Sequence, residues 1–357
     1  MSEPMGSTAA RPPGGSRYEA AGVDRSRASE AIRRIGEASA STHGPEVLSG
    51  IGGFGGCFAL GDGPGDAVLV ASVDGVGTKM KLALQTGLWE NVGYDIVAHG
   101  VGDVLVQGAK PLFFLDYIAM GRLDPDVIEG MARGMARACR EAGCALLGGE
   151  TAEMPGVYGP GETELVGVVV GSVARDRVMD GSAIREGDRV IGLPSSGLHT
   201  NGYTLARQVF EGENLRSVFP PLEVPLGEAL MASHTLYLPA VAPLLDAGLI
   251  HGMAHITGGG LIENIPRVLP EGLEAVLHRG TWPVPPIFDL IARRGSVAAD
   301  EMFRVFNMGI GWVLMAAPEA APIALAMLAA GGRDAWVVGA VGAGRRGARL
   351  SEDSPGG

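Results

Sequence analysis

The sequence predicts a mixed α/β protein organised as two domains. Three observations lead to that reading. Short apolar, β-branched runs alternate with longer segments whose apolar residues recur every three or four positions, so strands and helices are interleaved. The length, 357 residues, is long for one core and ample for two domains of ordinary size. A polar stretch, 174–187, carries Arg175, Asp176, Arg177, Asp180 and Glu186, and the boundary falls at its start.

The elements follow in order. Residues 1–17 are rich in Ser, Pro and Gly and read as a disordered tail, as do 351–357. The N-terminal domain is expected over 18–174. Asp24 is placed to cap a helix whose apolar face holds Ala28, Ile32 and Ile35. Strand patterns cover 67–73, 112–119, 144–147 and 164–173. Helical patterns cover 92–108, with Ile96, Val97, Val101, Val104 and Leu105 on the buried side, and 126–142. The C-terminal domain, 175–350, repeats the mixture, with strands at 189–193, 311–316 and 335–341. Its helices are expected at 202–211, 260–269, 286–294 and 318–330.

Composition narrows the function classes. Hydrophobic residues make up 46% and charged residues 19%, which is a globular balance. A net charge of −12 argues against a nucleic-acid binder or a basic membrane-surface protein. It leaves an anionic small ligand open, because local backbone donors and a cation outweigh distant charge. Three cysteines without metal-type spacing suit a reducing cytoplasm. No segment reads as a membrane span or signal peptide.

Several constellations point to phosphate and metal chemistry. In Asp74-Gly-Val-Gly-Thr78-Lys79 a strand ends, two glycines turn the chain, and Thr78 and Lys79 open a helix. A strand-end carboxylate suits a hard divalent cation, and a lysine at a helix start suits phosphate. The same six residues also read as an ordinary strand–turn–helix corner. Asp95, His99 and Asp103 recur every four residues, so they share one helix face. For Asp95 and His99 a solvated, salt-bridging face is the preferred reading. Gly148-Gly149-Glu150 puts another acid at a strand end, where it is expected to join Asp74 around a metal; Glu153 is a weaker candidate.

Three glycine-rich segments offer backbone N–H groups to anions: 52–56, 195–202 and 257–260. Together with the strand-end acids they suggest a polyphosphate ligand and a second, phosphorylated one. His199 lies in the middle segment, which reads as a polar loop. Ligand binding is preferred for it over proton transfer.

These motifs resemble one family. GGFGG at 52–56, DGVGTK at 74–79, VQGAKPLFFLDY at 106–117, GGETAEMPG at 148–156, SSGLHTNGY at 195–203, HITGGGLIENIPRVLP at 255–270 and EMFRVFNMGIG at 301–311 occur in the order of the phosphoribosylformylglycinamidine cyclo-ligases. The resemblance implies a two-domain α/β subunit whose N-terminal half pairs with a second copy into a β-barrel-like core. It implies a cytoplasmic homodimer using ATP and magnesium, with formylglycinamidine ribonucleotide as substrate. The product would be aminoimidazole ribonucleotide, formed through an imidate phosphate. Asp74, Asp103 and Glu150 would then be the magnesium candidates. Lys79, Asp103 and His199 would be catalytic. Gly53, Phe54, Gly55, Gly56, Thr78 and Lys79 would bind ATP. Ser196, Gly197, His199, Asn201, Thr257, Gly258, Gly259 and Gly260 would hold the substrate. One departure stands out: the family usually carries Asn before Asp103, and this chain has Gly102. Gly100 stands where Cys is common, and Lys110 where Glu is more usual. Two helical glycines cost about 1 kcal/mol each relative to alanine.

Overall fold

The computed structural model describes residues 16–23, 25–49, 52–63 and 65–351. The proposed cap Asp24 lies outside the described residues, as do 1–15 and 352–357 of the two expected tails. Residues 16 and 17 are not tail: Ser16 and Glu19 close a capping box on the short helix α1 (Arg17–Ala20). Helix α2 (Arg25–Ala40) follows. Its apolar face is not buried, since Ile32 is 49% and Ile35 56% exposed.

The first sheet is built from β1 (Gly56–Ala59), β2 (Ala67–Gly75), β3 (Lys110–Met120), β4 (Ala145–Glu153) and β5 (Thr163–Ala174). Its order is β1-β2-β5-β3-β4, with only β3 and β4 parallel. Helices α3 (Met80–Thr86), α4 (Trp89–Val106) and α5 (Pro125–Ala142) interleave with these strands. In β2 the even residues Val68 and Val70 are buried while Val73 is 64% exposed, so one face is covered and the other open.

Helix α4 covers that face, and its residues 92–106 are all buried. A β-carbon on Gly93 would meet the Met131 carbonyl at 2.0 Å, and one on Gly134 the Glu90 carbonyl at 2.0 Å, so α4 and α5 touch backbone to backbone. Helix α5 starts on Pro125 after Asp124, whose carboxylate accepts from the Asp126 and Val127 N–H groups. It ends at Gly143, which takes a left-handed conformation.

The second sheet contains β6 (Arg189–Pro194), β7 (Gly252–His255), β8 (Leu273–His278), β9 (Ile310–Ala316), β10 (Trp336–Ala343) and β11 (Gly347–Ser351), in the order β11-β8-β10-β6-β9-β7. Around it lie α6 (Tyr203–Val209), α7 (Leu226–Leu230), α8 (Leu238–Asp246), α9 (Gly260–Asn264), α10 (Pro286–Gly295), α11 (Ala299–Val305) and α12 (Ala321–Ala330). The fold is therefore mixed α/β with two sheets, and the helix expected over 260–269 ends early in a 3-10 turn at Ile265–Arg267. Among the described residues no helix is long and apolar enough to cross a membrane.

Candidate active site between the two sheets

The face of α4 that carries Asp95, His99 and Asp103 is turned toward the C-terminal half. All three side chains are buried, so the expected solvated face is corrected to an interior one. They belong to two polar clusters that meet at His234.

The first cluster is sealed. Lys79 and Asp95 are fully buried and 2.5 Å apart. The Lys79 ammonium also donates to the carbonyls of His199 (2.9 Å) and Ala232 (3.0 Å), while Asp95 accepts from the His234 N–H at 2.7 Å. Burial pushes Lys79 down and Asp95 up, each shift opposed by the partner's charge. All three ammonium donors are committed to protein. The expected phosphate contact and catalytic role of Lys79 are therefore corrected: the residue ties the N-terminal half to two C-terminal loops.

The second cluster reaches the surface. Asp74, at the end of β2, is 46% exposed and meets His99 Nε2 at 2.9 Å. His99 Nδ1 contacts Thr200 Oγ1 at 2.7 Å. Asp103 accepts from Ser72 Oγ (2.9 Å) and pairs with His255 Nδ1 (2.9 Å), and its Oδ2 is 3.8 Å from His99 Nε2. His255 Nε2 faces His234 Nε2 at 3.0 Å. Burial alone would lower His99, but Asp103 and Asp74 outweigh it and push it up to about 9. Burial would raise Asp74; the facing His99 holds it below its usual value instead. Burial pushes His255 down and His234 well down. Ser72, Thr200, His234 and His255 were not singled out from sequence. His99–Asp103 spacing was visible there, whereas nothing local distinguishes His234.

His199 is not in a polar loop. It is buried, stacked on His234 with ring centroids 3.9 Å apart, and its Nε2 accepts from the Ser196 (3.2 Å) and Thr235 (3.4 Å) N–H groups. Burial drives it well below its ordinary value, so it is a neutral ring whose basic nitrogen is occupied. The expected catalytic and ligand-binding roles are corrected to one of holding the loop. The neighbouring segment does reach the second loop: a β-carbon on Gly258 would lie 3.2 Å from Asn201 Oδ1. Asn264 pins the 257–260 turn through the carbonyls of Gly258 and Gly260, and Thr257 Oγ1 donates to Asn264 Oδ1. Gly259 and Gly260 both have positive φ. Gly197 accepts from Asn307, and Ser196 Oγ donates to the Ser233 carbonyl.

The 52–56 segment is tied to the other half. Arg267 donates to the carbonyls of Gly52 (3.2 Å) and Gly53 (2.5 Å) and lies 3.7 Å over the Phe54 ring. Phe54 is buried, a β-carbon on Gly55 would press on Val70 at 2.9 Å, and Gly56 opens β1. Thr78 is exposed and meets Thr204 at 3.1 Å.

Glu150 does not join Asp74. Asp74 pairs with Gly167, Gly167 with Asp116, and Asp116 with Gly149, so these four share one row and one face. Glu150 is next along β4 and points to the opposite face, three strand spacings or ~14 Å across the sheet. The strand also runs through the two glycines, where a turn was expected. A β-carbon on Gly149 would meet the Asp116 carbonyl at 2.4 Å, so close strand approach accounts for that glycine. Two open clefts border the 77–85 segment: one of about 320 Å³ lined by Gly77, Thr78, Lys81 and Glu164, and one of about 620 Å³ beside Gln85, Thr204 and Arg207; no member of the polar cluster lines either.

Two family models match the chain: AIR synthase related protein, N-terminal domain, over 56–173, and AIR synthase related protein, C-terminal domain, over 185–350. The phosphoribosylformylglycinamidine cyclo-ligase of Myxococcus xanthus is 50% identical over 335 residues, covering 93% of this chain and 97% of that protein. That of Nitrosospira multiformis is 48% identical, covering 91% and 92%. Among solved structures, thiamine monophosphate kinase from Aquifex aeolicus aligns with a TM-score of 0.60 at 16% identity, over 91% of this chain and 98% of that one. T. maritima PurL complexed with ADP aligns with a TM-score of 0.59 at 18% identity, over 85% and 44%. These two show a shared fold.

Proposed function

The chain belongs to the phosphoribosylformylglycinamidine cyclo-ligase family, and from that premise we propose that it closes the imidazole ring of formylglycinamidine ribonucleotide at the expense of ATP. The observation that carries this reading is 50% identity spanning almost the whole of both chains. A formamide oxygen leaves poorly. Transfer of the γ-phosphoryl group to that oxygen releases ADP and gives an imidate phosphate. The amidine nitrogen then attacks the activated carbon, and the oxygen departs within inorganic phosphate as the ring closes. Such a reaction asks the protein to position two ligands and to offset phosphate charge.

Magnesium takes oxygen ligands, keeps several waters and is commonly held by one or two carboxylates with substrate phosphates. Asp74 suits it, being a half-exposed strand-end carboxylate. Asp103 does not, because its carboxylate is sealed, 8% exposed against 46% for Asp74. Glu150 sits on the other face. In this reading Asp74 holds the cation, which offsets phosphate charge when bound with ATP. Thr78 and the 52–56 segment border the nucleotide. The 195–202 and 257–260 loops hold the ribonucleotide through Asn201, Ser196 and the 257–260 backbone, and the chain divides into domains near residue 174.

A homodimer is part of the proposal. The sheet face away from α4 carries Val73, Val168 and Leu115 in one row and Ala71, Val170 and Phe113 in the next. Val73 is 64% and Phe58 44% exposed, an apolar surface suited to self-association. A cytoplasmic setting suits the three free cysteines. The test is an assay of ADP release with ATP present and formylglycinamidine ribonucleotide added or withheld. Substrate-dependent release of ADP and aminoimidazole ribonucleotide in equal amounts is expected. ATP binding without release would contradict the reading.

A further inference from the structure

Two of the chain's three cysteines meet where α5 gives way to β4. Cys139 lies in the last turns of α5 and is 2% exposed, whereas Cys144 directly precedes β4 and is half-buried. We propose that this pair is a site of reversible oxidation, at which a hydroperoxide oxidises Cys144 and Cys139 resolves the product to an intramolecular disulfide. The inference does not rest on the ring-closure reading, and no residue of the Asp74 cluster is among the groups acting on either thiol.

Backbone geometry is the first argument. Gly143 ends the helix in a left-handed conformation. Its N–H donates to the Arg140 carbonyl at 3.2 Å, and the Cys144 N–H donates to the Cys139 carbonyl at 3.0 Å. These two bonds make a Schellman motif, which commonly brings the side chains at the ends of the longer-range bond into contact. Here both of those side chains are cysteines. The 3.0 Å bond, with standard backbone bond lengths, holds the two α-carbons within about 7 Å, the limit for bridging them.

Electrostatics is the second argument. Each thiol is the largest influence on the other. Contact with Cys144 raises Cys139, and burial adds to the rise; contact with Cys139 lowers Cys144 against the effect of burial. Cys139 therefore keeps its proton and directs it at Cys144, which is both the more acidic and the more exposed sulfur. A reachable thiolate beside a second thiol is the setting of cysteines that react with peroxides. Cys57 supplies the contrast: it is buried, no other thiol acts on it, and burial pushes it up.

The chemistry balances. The Cys144 thiolate attacks one peroxide oxygen, the O–O bond breaks, and hydroxide or alkoxide leaves. Cys144 is then a sulfenic acid. The Cys139 sulfur attacks the Cys144 sulfur, the S–O bond breaks, and the oxygen departs as water with the Cys139 proton. The thiol pair gives up two electrons and the peroxide accepts them. The disulfide ties the end of α5 to β4, an edge strand of the first sheet. Thiol reductants return the pair to its resting dithiol.

The test exposes the reduced full chain to excess hydrogen peroxide, quenches it with N-ethylmaleimide in denaturant and maps it with trypsin. Cleavage after Arg140 separates the two cysteines, so the disulfide shows as a linked peptide pair that dithiothreitol splits. The expected result is loss of two hydrogens and of two free thiols per chain, with Cys57 still alkylated. C139A should stop at the sulfenic acid, which dimedone traps on Cys144, and C144S should leave Cys139 reduced. If C139A does not fold, the map of the parent decides. Retention of both thiols, a disulfide between chains in place of one within the chain, or oxidation of Cys57 ahead of Cys144 overturns the proposal.

Discussion

Two polar clusters join the same helix to the C-terminal half, and they behave differently. Lys79–Asp95 is sealed, with every ammonium donor committed. Asp74–His99–Asp103–His255 begins at the surface and runs inward. Both are built from residue types that serve catalysis. Only the second has a member, Asp74, that a ligand can reach. Access to solvent, rather than residue type or spacing, separates a structural tie from a site.

The largest expected effect breaks the first cluster. Lys79→Met leaves the Asp95 charge buried without its partner, a loss of about 3–5 kcal/mol. Denaturant unfolding should show it, and a second change, Asp95→Leu, should recover much of the loss, because the pair can be replaced by apolar groups. A lysine that instead touched phosphate would leave stability unchanged and raise the KM for ATP.

The second cluster should respond to pH. In metal-free protein His99 is held up to about 9, against an ordinary 6.5, by Asp103 and Asp74 with Asp95 nearby, while neutral His255 and His234 face it from the other half. A raised folded value stabilises the protonated form. Its contribution is therefore complete below pH 6.5 and is lost as pH rises toward 9. The loss is at most ~3 kcal/mol, from ~1.4 kcal/mol per pH unit. Unfolding measured across that window should show the decline in the parent and lose it in His99→Gln. A flat parent profile would contradict the assignment.

The smallest effect concerns Gly102. Gly102→Ala must displace the His255 ring. Overpacking costs about 1–3 kcal/mol, offset by about 1 kcal/mol of helix propensity. A net loss of ~0–2 kcal/mol is expected. A clear gain in stability would show that His255 does not need the space.

Much of the fold was legible. Apolar, β-branched runs located β2, β3 and β5, and the helical pattern over 126–142 falls within one residue of α5 at its start and ends with it. What escaped detection had no pattern to show. β7 is four buried residues with no alternation, and α8 contains Pro243. The site was less legible, because its roles depend on burial. Lys79 in a phosphate-type motif, His199 among serines and threonines, and Glu150 after two glycines all read as ligand contacts. Packing made the first two interior and the third a strand residue on the wrong face. Asp74 alone kept the setting its position suggested.

The most direct test of that conclusion is substrate-dependent ADP release by Asp74→Ala, set beside the parent. The variant loses one of the two carboxylates that face His99 and should melt below the parent, but Asp103 remains, so it should stay folded at the assay temperature yet lose turnover. Turnover that survives in Asp74→Ala would contradict the account.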